Sequence, residues 1–417
     1  MEEAAAMVAS LPDDVLREIL VRVTNLADLL RCGLACKGWR RLLADPTFLQ
    51  RRWSDQARFV GFFGRKYGHE ELFFTPTPRS ALGPGRRALS SFVTAVPAAL
   101  IDKAVPLASR HGLLLVRLKH VDLEPGIIQL AVCNLLAGAC HMLPPLDFRS
   151  AFDASWVRAN FHSRCHWNGY AILTSTDCTS GGDDSRSTSS FFQVVSISIY
   201  SKGMNCSFLH TFSSNEASWR VRTDWSLGIM RPDKFMSSVD AVVRRGTVHW
   251  VFRYDEEVCL HTIDLNTRTG HISLTKLPFL MNRGGYNDLC LTLAVNGALS
   301  VLWMQTQGTQ LDIWEEQEED QLNVDASSEW KCARTIKLKE PGMKENDATQ
   351  LYVVGEKSGI LLLTDKYQNV YTANLETGMM EEVVDWPYGY YIHHKDTVLF
   401  EMDLPAIFSS WLDTKYT

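Results

Sequence analysis

Apolar and polar positions follow two different periods along this chain of 417 residues. In residues 11–43, LPDDVLREILVRVTNLADLLRCGLACKGWRRLL, apolar side chains recur at helical spacing. Val15, Leu16, Ile19, Leu20 and Val23 form one face, and Arg17, Glu18 and Arg22 the other. Ser10 and Asp13 read as a capping box ahead of this first helix, with Pro12 in its first turn. Asn25 and Asp28 repeat the pattern before Leu26, Leu29, Leu30 and Leu34. A third short helix carries Trp39, Leu42 and Leu43, with Pro46 marking its end.

After Trp53 the helical period fades into short β-rich runs broken by Gly, Pro, Asn and Asp. Strands are predicted over Gly112–Val116, Ile127–Cys133, Phe191–Tyr200, Ala241–Phe252, Cys259–Leu265, Leu291–Trp303, Gly359–Thr364 and Val370–Leu375. A weak repeat runs through them. Each unit opens with a strand containing an early glycine: Gly112, Gly169, Gly246, Gly297 and Gly359. Three units then show an Asn/Asp-to-Gly turn: Asn134–Gly138, Asp264–Gly270 and Asn374–Gly378. A Leu-Pro or Trp-Pro follows at Leu143, Leu277 and Trp386. The glycines are 57, 77, 51 and 62 residues apart, and the longest interval holds the loop-like Ser/Thr-rich stretch Thr176–Ser190.

A multi-stranded unit repeating every ~50–60 residues predicts a β-propeller, and the remaining chain length allows about six blades. Unrelated β-sandwiches with coincidental turns are the competing arrangement. The units near residues 57–100 and 191–225 are the least defined. The expected fold is therefore mainly β with a small N-terminal α domain. Residues 1–55 form the helices and residues 56–417 the propeller-like body.

Composition narrows the function classes. A net charge of −6 gives no basic footprint for nucleic acid. No run of ~18 apolar residues predicts a membrane span. The acidic start MEEAAAMVAS is unlike a signal peptide, so an intracellular protein of the nucleus or cytoplasm is expected. The ten cysteines are scattered singly, with Cys32 and Cys36 one helical turn apart, and read as buried thiols rather than disulfides.

Catalytic and metal chemistry find little support. His162, Cys165 and His166 are too far apart on a strand to share one ion. His393 and His394 would face opposite sides of a strand. Ser109 and His111 lack an orienting acid, and none of the nucleophile-elbow, phosphate-loop or zinc-helix motifs occurs. No catalytic residue, metal ligand or cofactor is expected. The acidic run Glu315–Asp320 reads as a solvated loop or as a contact for a basic partner. Trp156, Trp167, Trp219, Trp225, Trp250, Trp303, Trp314, Trp386 and Trp411 are either core residues or interface anchors.

About 40 N-terminal residues carry more apolar surface than so short a segment buries alone. They are either a docking face for another protein or a cap on the following domain. Leu11-Pro12-Asp13-Asp14, Leu16, Ile19-Leu20, Leu29-Leu30 and Cys36-Lys37-x-Trp39-Arg40 closely resemble an F-box. Ala35 stands where that family usually has Val, and Asn25 where Pro is common. The body more loosely resembles the associated domain of plant F-box proteins, especially the large grass families, through HGLLLV and IIQLAVCNLLAGACHMLPPL.

The resemblance implies a non-catalytic substrate receptor of an SCF-type cullin ubiquitin ligase. Leu11, Pro12, Asp13, Leu16, Ile19, Leu20, Leu29, Leu30, Cys36 and Trp39 would bind a Skp-type adaptor, and through it cullin, while the β domain recruits a client protein. Two other readings stay open. One is a scaffold or inhibitor that binds the adaptor without promoting ubiquitination. The other is an enzyme with a small-molecule site in the propeller channel.

Overall fold

The computed structural model describes residues 11–23, 26–53, 58–65, 71–78, 80, 82–119, 124, 126–147, 166–178, 191–200, 206–222, 232–235, 241–254, 259–280, 289–305, 309–317, 330–339, 350–383, 386, 392 and 397–405. The N-terminal part contains α1 (Asp13–Val21), α2 (Leu26–Ala35), α3 (Lys37–Leu43) and α4 (Pro46–Arg52). Pro12 is itself the N-cap of α1 and supplies no side-chain bond. Ser10 and Asn25 lie outside the described residues.

Cys36 is not on the α2 helix with Cys32, as its spacing suggested. It caps α3, its Sγ accepting from the Trp39 N–H at 3.4 Å. Pro46 does not simply end the helices either. Asp45 accepts from the Thr47 N–H at 2.9 Å and starts α4, with Pro46 at its first position, where a missing N–H is no loss. Charged contacts tie the helices together: Arg41 to Asp13 and Arg17 to Asp45, both at 3.0 Å, and Arg51 to Glu18. The Arg52 guanidinium donates to the carbonyls of Val21, the last residue of α1, and of Val23 just after it.

The β body is a ring of six sheets. Blade 1 joins the two ends of the ring: Phe59–Arg65, Leu72–Pro76 and Arg87–Ala88 are completed by Val398–Glu401, which pairs with Phe59–Phe63. Blade 2 comprises Val105–Arg110, Leu113–Leu118, Ile127–Asn134 and Ala139–Met142, with Leu146–Asp147 also paired to its third strand. Blade 3 comprises His166–Thr174, Phe192–Tyr200, Cys206–Ser213 and Ser218–Arg222.

In blade 4, Pro232–Phe235 and Val242–Arg244 share one edge of Thr247–Tyr254, followed by Cys259–Asn266 and Ile272–Leu280. Blade 5 is Leu289–Leu293, Leu299–Met304, Gln310–Glu316 and Trp330–Lys337. Blade 6 is Leu351–Lys357, Ile360–Asp365, Val370–Asn374 and Met380–Glu382.

One edge strand of each blade touches the next around the ring. Val398–Glu401 meets Val105–Arg110, which meets His166–Thr174, and the chain of contacts continues through Val242–Arg244, Leu289–Leu293 and Leu351–Lys357 back to Val398–Glu401. A separate apolar cluster fills each boundary between blades. A closed ring thus covers both faces of every sheet, which no single blade can do.

Two turn devices recur. His111-Gly112, Arg245-Gly246 and Ser358-Gly359 place consecutive residues at positive φ between a blade's ring-contacting strand and the next, as a two-residue hairpin of the primed type requires. The predicted runs Ala241–Phe252 and Leu291–Trp303 are therefore each two strands, split at Gly246 and Gly297. Gly169 breaks the series: it lies inside a strand, where an added Cβ would meet the Trp250 ring at 2.7 Å.

In the second device, the Asn134, Asn266 and Asn374 side chains accept the N–H groups two and three residues on, and Gly138, Gly270 and Gly378 close the turns at positive φ; the middle turn starts at Asn266 and not at the expected Asp264, which lies in the strand and binds His249.

Candidate functional site

Two rows of apolar side chains run along α1, separated by the ~100° step between consecutive helical residues. Leu16 and Leu20 point inward and are buried; Val15 and Ile19, one position earlier in each turn, remain 43% and 44% exposed. The inner row joins Leu29, Leu42, Leu43, Phe48, Leu49 and Trp53 in the apolar cluster that fills the boundary of blades 1 and 2. Leu11, Leu30 and Trp39 pack half-buried against that cluster. Pro12, Asp13, Ile19 and Cys36 are exposed, and Asp13 is tied to Arg41.

The N-terminal segment therefore caps the following domain through its inner row, while its outer row stays exposed. Leu16, Leu20 and Leu29, expected to meet an adaptor, are interior residues of this chain. Val15 and Leu34, absent from the expected set, are exposed apolar residues, Leu34 at 44%. Residue type and period do not separate the two rows, because both are apolar at i, i+4.

A second feature lies in the propeller. A cavity of about 1060 Å³ opens at the hairpin turns near the ring centre. At its central end stand Arg110, His111, Glu356, Lys357, Ser358 and Glu401, contributed by blades 1, 2 and 6. Arg110 Nη2 pairs with Asp177 Oδ1 at 2.6 Å, and His111 Nδ1 lies 3.0 Å from Thr174 Oγ1. Ser358 Oγ donates to Glu401 at 2.9 Å, and Lys357 Nζ to the Ser109 carbonyl at 3.2 Å. Glu356 accepts from the Gly359 N–H at 2.6 Å and from Thr292 Oγ1.

The cluster's charges do not sit at equal ease. Burial raises the Glu356 carboxyl above the ordinary range, and the neighbouring Glu401 charge adds to this against the hydrogen bonds from Thr292 and Gly359. Burial pulls Glu401 the same way, but Lys357, Arg110 and His111 outweigh it and leave that carboxyl low. Burial likewise works against the Asp177 carboxylate, and Arg110 outweighs it. Burial holds His111 below its usual value, with Arg110 reinforcing the effect.

Comparison with known proteins assigns both parts of the chain. A family described as F-box-like matches residues 8–54. A second, described as Domain of unknown function (DUF7595), matches residues 80–411, well over half of the sequence. The chain belongs to the DUF7595 family. That match starts after the first two strands of blade 1, so in this DUF7595 protein the ring closes by pairing Phe59–Phe63, outside the matched span, with Val398–Glu401, inside it. None of the curated proteins matches the sequence.

Among solved structures, a Lactobacillus plantarum protein is 10% identical, with a TM-score of 0.39, covering 77% of this chain and 80% of its own. The GH93 α-L-arabinofuranosidase of Fusarium graminearum is 12% identical, with a TM-score of 0.36 and coverages of 73% and 91%. The β-propeller domain of the Trilobed protease from Pyrococcus furiosus is 8% identical, with a TM-score of 0.33 and coverages of 67% and 82%. None of these likenesses bears on the activity of the DUF7595 chain.

The other candidate residues fall as follows. Ser109 Oγ donates to the Leu399 carbonyl and His111 turns to Thr174, so the two have different partners, and the serine helps latch blade 2 to the closing strand. His162, Cys165, His393 and His394 lie outside the described residues, and no group of three or more metal-ligating side chains occurs among the described ones. No helix among the described residues is long and apolar enough to cross a membrane.

Trp250 is core, while Trp219, Trp303, Trp314 and Trp386 pack half-buried against the inter-blade clusters. Trp156, Trp225, Trp411 and the Trp167 side chain lie outside the described part. Of the acidic run, Glu315 lines the cavity and Glu316 pairs with Arg244 at 2.8 Å, while residues 318–320 are outside the described part. The cysteines are not all solitary: Cys133 and Cys140 face each other across adjacent strands with their sulfurs 3.6 Å apart.

Proposed function

We propose that this chain is the substrate-recognition subunit of an SCF-type cullin ubiquitin ligase, its F-box-like helices docking a Skp-type adaptor and its propeller recruiting a client protein. The single observation that supports this reading most is the outward apolar row on the F-box-like helices. Val15, Ile19 and Leu34 stay open to solvent, while the inner row roots the same helices in the propeller core. Pro12 and Cys36 are exposed beside them.

The docking surface thus comprises Pro12, Val15, Ile19, Leu34 and Cys36, with Leu11, Leu30 and Trp39 at its half-buried edge. Leu16, Leu20 and Leu29 support it from below. The ligase role needs no nucleophile in this chain, because holding a client near the conjugating enzyme raises the effective concentration of its lysines. The reading places the protein inside the cell, in nucleus or cytoplasm, and the grass-type likeness of its body belongs to the same proposal.

Pull-down of the full chain with a Skp-type adaptor tests the docking half. Absence of binding by the wild type refutes it. Quantitative proteomics after knockout tests the degradative half: proteins that accumulate identify clients, and an unchanged proteome with adaptor binding intact supports a scaffold or inhibitor instead.

A further inference from the structure

The cavity in the propeller is elongated, and its lining shows in which direction. From Arg110 and Glu401 at the ring centre it passes Leu291 and Leu293 on the innermost strand of blade 5. It then passes Ser300 on the second strand, Glu315 on the third and Arg334 on the outermost, with Glu376 on the facing hairpin of blade 6. Crossing four paired strands spans roughly 14 Å, the length of about four extended residues. A volume of about 1060 Å³ is at the upper end of what small-molecule pockets offer. The cleft therefore has the shape of a short extended chain running outward between blades 5 and 6.

Its charges select the occupant. The central end sets Glu356 and Glu401, with Asp177 behind Arg110, against Arg58, Arg110 and Lys357, and burial holds His111 below its usual value. Asp177 has its guanidinium partner, and Glu401 lies in the field of Lys357 and Arg110. Glu356 has the least positive charge about it of the three: the hydrogen bonds it accepts come from the neutral Thr292 hydroxyl and Gly359 amide, the adjacent Lys357 alone opposes its burial with charge, and it remains partly open to the cavity. A cation placed there offsets the cost of enclosing it, whereas an acidic or phosphorylated segment meets like charge. Farther out, Leu291 and Leu293 offer apolar wall, and Val295 stands fully exposed on the turn at the rim.

We propose that this cleft is the client site and takes an extended peptide segment whose lysine or arginine side chain reaches Glu356 at the ring centre while neighbouring aliphatic side chains lie along blade 5. The proposal rests on the substrate-receptor reading, and its test is separable from that of the adaptor face. The probe is a random peptide library displayed on phage and panned against the immobilised full chain. Recovered sequences share a lysine or arginine. A resynthesised peptide with norleucine in its place loses at least about tenfold in affinity, as when one member of an enclosed charge pair is removed.

Glu356→Gln, which preserves shape and the acceptor for Gly359, produces a comparable loss while Skp-type adaptor binding stays at wild-type level. Recovery of peptides without a shared basic residue, or equal binding of the norleucine peptide, overturns the proposal without reference to any variant. Spermidine raising the melting temperature in a Glu356-dependent way, with no peptide recovered, overturns the peptide assignment in favour of a small cation. Peptide binding without adaptor binding sustains the cleft and removes the ligase.

Discussion

Exchanging one row of α1 for the other separates docking from folding. Leu16 and Leu20 are 6% and 1% exposed, and truncating buried leucines costs ~2–5 kcal/mol each, so Leu16→Asp with Leu20→Asp unseats the helices from the blade 1–2 boundary. Val15 and Ile19 keep 43% and 44% of their surface in water, so Val15→Asp with Ile19→Asp leaves the fold within about 1 kcal/mol of wild type.

The same exposed surface is what a partner can cover. Full burial of such side chains contributes ~1.5–3 kcal/mol, so the open two fifths offer about 1 kcal/mol each and about 2 kcal/mol together. That is a loss of roughly 30-fold in affinity, and aspartate exceeds it by placing carboxylates in an apolar contact. Calorimetric titration with a Skp-type adaptor, paired with a thermal melt of each variant, reads both effects. An outer-row variant that binds the adaptor like wild type, or that melts as early as the inner-row variant, refutes the division of the two rows.

Other outcomes follow from the ring. Gly378 sits at φ +71° with its missing Cβ 2.5 Å from the Lys337 carbonyl, so Gly378→Ala lowers stability by roughly 2 kcal/mol, visible as a lower urea midpoint. Ending the chain at Lys395 removes Val398–Glu401 and bares the edge of Phe59–Arg65; the shortened protein loses its cooperative melt and aggregates, and an unchanged melt excludes closure by this strand. Burial pushes His210 from 6.5 down to about 4, so it stays neutral in the fold while charging in the unfolded chain. Its contribution is complete above about pH 6.5 and is lost as pH falls toward 4, amounting to about 3 kcal/mol. His210→Phe flattens that part of the stability profile, and a profile with unchanged slope contradicts the assignment.

Much of the fold is readable from local chemistry. The Asn-to-Gly turns are legible because the asparagine side chain and the glycine φ act within five residues of chain, as at Asn374–Gly378. The F-box-like helices are legible because their period and spacing are local. Helix α4 hides behind Asp45-Pro46, a pair that reads equally as a stop and as a start. The strand pairs at Arg245-Gly246 and Gly297 merge into single runs because turns this short leave apolar strand residues within a few positions on either side. Gly169 imitates the turn glycines, yet its smallness serves the approach of Trp250 from the next blade.

The sequence by itself determines the first three helices, the hairpins closed by Gly138, Gly270 and Gly378, and that one unit repeats around a ring. Only tertiary structure decides that residues near the two ends of the chain share blade 1, because that pairing joins Phe59 to Glu401 across most of the sequence. Tertiary packing alone also divides Val15 and Ile19 from Leu16 and Leu20, which hydrophobicity cannot tell apart. The charged cleft is decided the same way: Arg110, Thr292, Glu356 and Glu401 come from four blades and meet only when the ring closes.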